Sequence, residues 1–231
     1  KNKHQLNQEQ QSAFEKFRSS KESYKCYLLE GITGSGKTEV YLQAMESIVA
    51  AGKEVLVLVP EISLTPQTFQ RFSARFPRTG LIHSGLSSHK ILQTWVKCRE
   101  GKITCLVGTR SAVFAPLQNL GLIIVDEEHD SSYKQQEGLK YSARDVAVKR
   151  ANQLNIPIIL GSATPSIESI NNVDRGKYSL LSLKKRANDL PLPVQQIVDM
   201  ASQKMIDGFA PKTIDTIKKH LTNNNQVMVF I

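Results

Sequence analysis

Three nearly unbroken runs of Val, Ile and Leu constrain this chain most: residues 54–59 (EVLVLV), 122–125 (LIIV) and 158–160 (IIL). A strand with one face in water alternates apolar and polar residues. A continuous apolar run fits a strand covered on both faces, as in a parallel sheet between helices. Residues 24–29, 79–82 and 103–107 are further strand candidates. Residues 7–17, 38–51, 66–76, 88–99 and 143–154 carry helical patterns between them. In 38–51, Val40, Tyr41, Ala44, Met45 and Ile48 form one stripe, which stops at Gly52. Strand–helix alternation of this kind predicts an α/β doubly wound sheet, mostly parallel with helices on both faces.

Composition excludes several classes. The chain has 231 residues, 40% hydrophobic and 22% charged, which is ordinary for a globular protein and unlike collagen or a disordered chain. No apolar stretch approaches the ~20 residues that span a bilayer. Residues 1–5 have no apolar region behind their charges, so no secretory signal and no membrane contact are expected. Cys26, Cys98 and Cys105 form no CxxC pair and read as reduced thiols in a cytoplasmic protein, with no zinc site in this chain. The net charge of +9 suits a phosphate polymer as partner.

Past Gly161 the periodicity weakens. Residues 1–183 read as one lobe and 184–210, with Lys184-Lys185-Arg186, Pro191 and Pro193, as a connector. Residues 211–231 read as the truncated start of a second lobe, with a helix over 212–221 and a buried strand over 226–231 (QVMVFI).

Chemistry enters at Gly31-Ile32-Thr33-Gly34-Ser35-Gly36-Lys37-Thr38, which fits G-x-x-x-x-G-K-[ST] between a strand and a helix. The glycines let the backbone curl until successive N–H groups point at phosphate oxygens. The helix behind adds its positive end. Lys37 is expected on the β and γ phosphates and the Thr38 hydroxyl on Mg²⁺. The partner signal is the strand ending in Asp126-Glu127-Glu128-His129. Asp126 is expected to hold Mg²⁺ through water, and Glu127 to orient and deprotonate the attacking water.

Residues 31–38, 126–129 and 161–165 (GSATP) resemble motifs I, II and III of superfamily 2 helicases. Residues 58–67 (LVPEISLTPQ), 83–86 (HSGL), 108–116 (GTRSAVFAP) and 126–145 narrow the resemblance to the PriA family of replication-restart DNA helicases. That resemblance implies the first RecA-like P-loop NTPase lobe of an ATP-dependent 3′-5′ DNA helicase of the primosome, using ATP and Mg²⁺. It implies that Gln10 contacts the adenine and that His129 belongs to the ATP site. It places Glu61, Thr65, Thr109, Arg110 and Ser111 on single-stranded DNA. It assigns base stacking and DNA contact to Tyr133, Lys134 and Tyr141 on an aromatic-rich loop. Ser162 and Thr164 become a hydroxyl relay between the two sites. It further implies single-stranded and forked DNA, single-strand-binding protein and helicase-loader proteins as partners, a monomer, and zinc only in a downstream segment.

The competing enzyme reading is another superfamily 2 DNA translocase, such as a recombination or restriction motor. A non-enzymatic nucleotide-gated adaptor would have no need for Glu127. Arginines from a second lobe act on the transferring phosphate in such motors, so this chain alone is expected to be nearly inactive as an ATP hydrolase. Its charge predicts weak, salt-sensitive binding to single-stranded oligonucleotides. A fluorescence-anisotropy titration should give a log–log salt slope of about −0.7 per phosphate contacted. A flat slope would remove phosphate-led contact.

Overall fold

The computed structural model describes residues 5–20, 22–187, 194–201 and 205–230. The chain divides into two compact units, residues 1–190 and 191–231. The first holds α1 (Gln8–Arg18), β1 (Cys26–Gly31), α2 (Lys37–Val49), β2 (Glu54–Leu58), α3 (Pro66–Arg75), β3 (Thr79–Ile82), α4 (Ser88–Arg99), β4 (Cys105–Gly108) and β5 (Leu120–Val125). A small antiparallel ribbon follows, β6 (Lys134–Gln135) with β7 (Tyr141–Ser142). Then come α5 (Ala143–Gln153), β8 (Ile158–Ser162), α6 (Ile167–Asp174) and β9 (Tyr178–Leu183). The second unit contains α7 (Pro211–Thr222). Among the described residues no helix is long and apolar enough to cross a membrane.

Seven strands form one parallel sheet in the order β3-β4-β2-β5-β8-β1-β9. The continuous apolar runs are its central strands, and every residue of β2, β5 and β8 is buried. The period-2 pleat divides each run between two cores. Tyr27, Leu29, Val57, Ile124 and Ile159 meet α1, α2 and α3 residues such as Phe17, Tyr41 and Phe72. Leu28, Leu58, Ile123 and Leu160 meet Cys98 of α4 and Ala143, Ala147 and Ala151 of α5 on the other face.

Chain direction explains which helix goes where. From β1 to β2 to β3 the strands step toward the β3 edge, and α2 and α3 cover the first face. From β3 onward each step runs back, and α4 and α5 cover the second face. A single crossover hand requires this switch. The helix starts follow the sequence. Asn7 and Gln10 close a capping box on α1, Thr65 caps α3 ahead of Pro66, and Ser87, Ser142 and Ser166 cap α4, α5 and α6.

Two features depart from the sequence reading. The edge strand β9, with α6 before it, continues the sheet where the periodicity looked weak. Leu181 and Leu183 enter the core while Leu180 is 42% exposed, so only half of the strand carries an apolar signal. Conversely, the strand expected over 226–231 is absent from its described residues, 226–230. Met228 is 94% and Phe230 99% exposed there. An apolar run becomes a strand only beside a ladder partner. Among the described residues the second unit offers only an isolated bridge between Ile206 and Phe209.

Ile124 is fully buried in a central strand. Ile124→Ala should cost about 2–5 kcal/mol, as for other large-to-small core changes. Urea denaturation of the chain should show this as a lower midpoint at unchanged slope.

Candidate nucleotide site

All seven strands point the same way, so the loops after β1, β2, β4, β5 and β8 gather on one rim of the sheet. The loop after β1 wraps a turn in which Gly34 and Gly36 have φ of 81° and 82°. Other residues rarely adopt that left-handed region. Gly36 caps α2 without a side-chain hydrogen bond, so no cap side chain occupies the first N–H groups of the helix. Lys37 donates from Nζ to the Gly31 carbonyl at 2.9 Å and lies 3.7 Å from Glu127 Oε1. A cleft of about 870 Å³ is lined by the whole loop, Asp126, Glu127 and residues of α2 and α3, including Arg75.

Each of the four motif II side chains meets its own set of neighbours. Asp126 accepts from the Tyr41 hydroxyl at 3.0 Å. Burial pushes its carboxyl pKa up, and the Glu127 charge pushes the same way. Glu127 has φ of 45°, an uncommon conformation for a side-chain-bearing residue. The turn places Glu127 between Lys37 and His129, whose Nδ1 is 3.7 Å from Glu127 Oε2. His129 Nδ1 is also 2.7 Å from Ser162 Oγ, and Nε2 is 3.5 Å from Thr164 Oγ1. The expected relay hydroxyls therefore reach the carboxylate end of the site through His129. Thr38 and Asp126 supply the hard oxygen donors that Mg²⁺ prefers, so the residues present fit that ion.

Glu128 escaped the sequence reading. It is 1% exposed and accepts from the Ser166 N–H at 2.7 Å, the Ser169 hydroxyl at 2.9 Å and Arg144 Nη1 at 3.0 Å. Its own N–H donates to the Gly161 carbonyl at 2.9 Å. Glu128 thus fastens the DEEH turn to the loop after β8 and to the start of α5. The available signal was a carboxylate between two functional residues with Arg144 nearby in sequence. Gly161 matters on the other side of β8, since a Cβ there would strike the Tyr41 hydroxyl.

Several residues expected on DNA serve the interior instead. Tyr133 is 2% exposed and donates its hydroxyl to the Asp126 carbonyl at 2.6 Å, so its ring offers no face to a base. Burial and the nearby Asp126 hold its phenol well above the usual range. Thr109 is 3% exposed, which removes its hydroxyl from the surface. Arg110 donates from Nη1 to the Ser132 and Lys134 carbonyls at 3.1 and 3.0 Å. Tyr141 is half-buried and packs edge-on against Phe114, with ring centroids 5.0 Å apart. Glu61, Thr65, Ser111 and Lys134 are exposed. Gln10 is 4% exposed. It accepts from the Asn7 N–H at 2.9 Å and donates to the Ser35 carbonyl at 2.7 Å. Both ends of its amide are engaged, so it braces the phosphate loop rather than presenting that amide to a base.

A phosphate loop, a strand-end carboxylate pair and a hydroxyl-bearing third loop on one parallel sheet define a P-loop NTPase lobe of the helicase kind. The DEAD/DEAH box helicase model matches residues 7–173, and the chain belongs to that family. Among curated proteins it is similar to Replication restart protein PriA of Haemophilus influenzae, 48% identical over 229 residues, covering 98% of this chain and 31% of that protein. Against the Bacillus subtilis protein of the same name, identity is 45% over 233 residues, covering 98% and 29%. The chain thus spans about a third of the length of these relatives. Among solved structures, RecG bound to a three-way DNA junction superposes with TM-score 0.58 at 23% identity, over 78% of this chain and 24% of that one. MrfA bound to DNA and AMPPNP gives TM-score 0.60 at 17% identity, over 94% and 32%. At these identities the likeness shows a shared fold.

Removing Glu128 would leave Arg144 with Asp145 as its remaining carboxylate and strip the Ser166 N–H and the Ser169 hydroxyl of their buried acceptor. Glu128→Ala should cost about 1–3 kcal/mol, the scale of buried donors left unpaired. Glu128→Gln keeps an acceptor and the shape and should cost less than half as much. Equal urea midpoints for Glu128→Ala and the parent would remove the fastening role.

Proposed function

We propose that this chain is the ATP-binding and ATP-hydrolysing lobe of a replication-restart DNA helicase. The single observation that carries the reading is the convergence of Lys37, Asp126 and Glu127 on the cleft beside the phosphate loop. In this reading residues 1–183 are the first motor lobe, 184–210 a connector and 211–231 the beginning of a second lobe. ATP is the substrate. The loop N–H groups and Lys37 bind its phosphates, and Thr38 and Asp126 hold Mg²⁺. That ion, when bound, neutralises charge developing on the phosphoryl oxygens.

Glu127 accepts a proton from the attacking water. Its carboxylate is oriented by Lys37 on one side and by His129, backed by Ser162 and Thr164, on the other. Tyr41 and Tyr133 fix Asp126 by its carboxylate and its carbonyl. A short route joins this centre to the rim where DNA would lie. Arg110 grips the carbonyls on both sides of Tyr133, and Tyr133 grips Asp126. A phosphate that drew Arg110 away would loosen the support under Asp126.

The similarity to PriA supports 3′-5′ translocation on single-stranded DNA at stalled forks. It also supports a monomer acting in the cytoplasm with single-strand-binding protein and helicase loaders. The exposed Glu61, Thr65, Ser111 and Lys134 are the DNA-facing candidates.

Glu127→Gln keeps the shape of the side chain but cannot take the proton. In the full-length protein, ATP binding should stay within about twofold while turnover falls about 10²–10⁴-fold. Steady-state phosphate release and a fluorescent-nucleotide titration together check this. Near-parental turnover would refute Glu127 as the base.

A further inference from the structure

Among the described residues, three buried side-chain atoms lack a hydrogen-bond partner: Ser35 Oγ, Arg75 Nη2 and Arg186 Nε. All three belong to the phosphate loop or its surroundings. Ser35 is part of the loop. The Arg75 guanidinium already has two carboxylates, Glu39 at 2.9 Å and Glu46 at 2.5 Å. Arg186 differs from both: among the described residues no carboxylate or carbonyl meets its guanidinium.

Its position is tightly determined. The segment after β9 runs along the outside of the phosphate loop. The Ile32 N–H donates to the Leu183 carbonyl at 3.3 Å, and the Ala187 N–H donates to the Gly34 carbonyl at 2.9 Å. Lys185 N–H donates to Glu9 Oε2 at 3.0 Å, which ties the same segment to α1. Arg186 Cγ lies 3.9 Å from where a Cβ on Gly34 would stand, and Ala187 Cβ lies 3.5 Å from the corresponding point on Gly36. The side chain is half-buried against the loop that curls around the phosphates.

An arginine cannot shed its charge, and a shielded guanidinium N–H without an acceptor is costly. Such a group persists where something outside the chain supplies the acceptor. Beside a phosphate loop, the acceptor chemistry at hand is a phosphate oxygen, and a guanidinium matches it well.

We propose that Arg186 is a nucleotide-binding residue whose Nε–H donates to a phosphate oxygen of the nucleotide held by the loop. The proposal rests on the reading of this cleft as an ATP site. It turns the first residues of the connector into part of the binding site.

The test compares the full 231-residue chain with its Arg186→Ala, Arg186→Lys and Lys37→Ala variants. Each is titrated with a fluorescent ATP analogue and melted with and without ATP·Mg²⁺. Arg186→Ala should weaken nucleotide binding about tenfold or more, the scale of one charge-assisted hydrogen bond. Arg186→Lys should recover only part of this, since an ammonium lacks Nε. The melting temperature without nucleotide should not fall in Arg186→Ala, because the removed group makes no hydrogen bond to the described residues. The ATP-induced rise should shrink. A residue with only a structural role would do the reverse, lowering the melt without nucleotide and leaving the ATP-induced rise intact, and that result overturns the proposal. Parental affinity in Arg186→Ala with affinity lost in Lys37→Ala overturns it while leaving the ATP reading in place. The same holds if Arg186→Ala weakens only oligonucleotide binding. No nucleotide binding by the parent chain overturns both.

Discussion

Parallel pairing of buried strands is the constraint on which the rest depends. A parallel strand cannot be followed by its neighbour through a tight turn, so each must be followed by a crossover, here mostly a helix. Seven parallel strands therefore leave every strand's carboxyl end on one rim, with helix starts beside it. The adjacent strands β1 and β8 feed helices on opposite faces, since α2 joins the core with Tyr41 while α6 adds Val173 to the other. A crevice opens between diverging connections, and the phosphate loop sits at it. The site is a product of chain direction before any catalytic residue is chosen.

The DEEH segment is where that geometry becomes chemistry. Four consecutive side chains can reach such different surroundings only if the backbone turns between them. The left-handed conformation of Glu127 provides the turn. Such a conformation costs on the order of 1 kcal/mol or more and persists only where its surroundings over-determine it. Here they do. Asp126 N–H is bonded to Leu58, Glu128 N–H to Gly161, and the Glu128 carboxylate to Ser166, Ser169 and Arg144. The residue expected to do chemistry is held by neighbours expected to do none.

Much of this was legible in the sequence, and the reasons for the rest are specific. Residues 54–59 and 122–125 announced buried parallel strands because both faces need apolar side chains. The phosphate loop was legible because positive φ demands glycine and the phosphates demand lysine. β9 was not, because an edge strand buries half of its residues. Residues 226–230 misled for the opposite reason: apolar content without a partner strand makes no ladder. The family resemblance places Tyr133 and Thr109 on DNA, yet both are buried. Nothing in a sequence tells an aromatic ring that faces outward from one that props up the loop beneath it. Gln10 shows the same limit, since its place beside the loop was legible but the direction of its amide was not.

The buried tyrosines carry a consequence for electrostatics. Tyr41 and Tyr133 both meet Asp126, and burial together with the nearby carboxylates drives both phenols far above their ordinary range. They therefore stay neutral donors under any physiological condition. A charged donor in either place would have offset the carboxylates and weakened their attraction for a cation. Neutral hydroxyls orient Asp126 without cancelling its charge. The cations lining the cleft are Lys37, Arg71 and Arg75. The two acids are thus supported differently: Asp126 by neutral hydroxyls, Glu127 by the Lys37 ammonium 3.7 Å away.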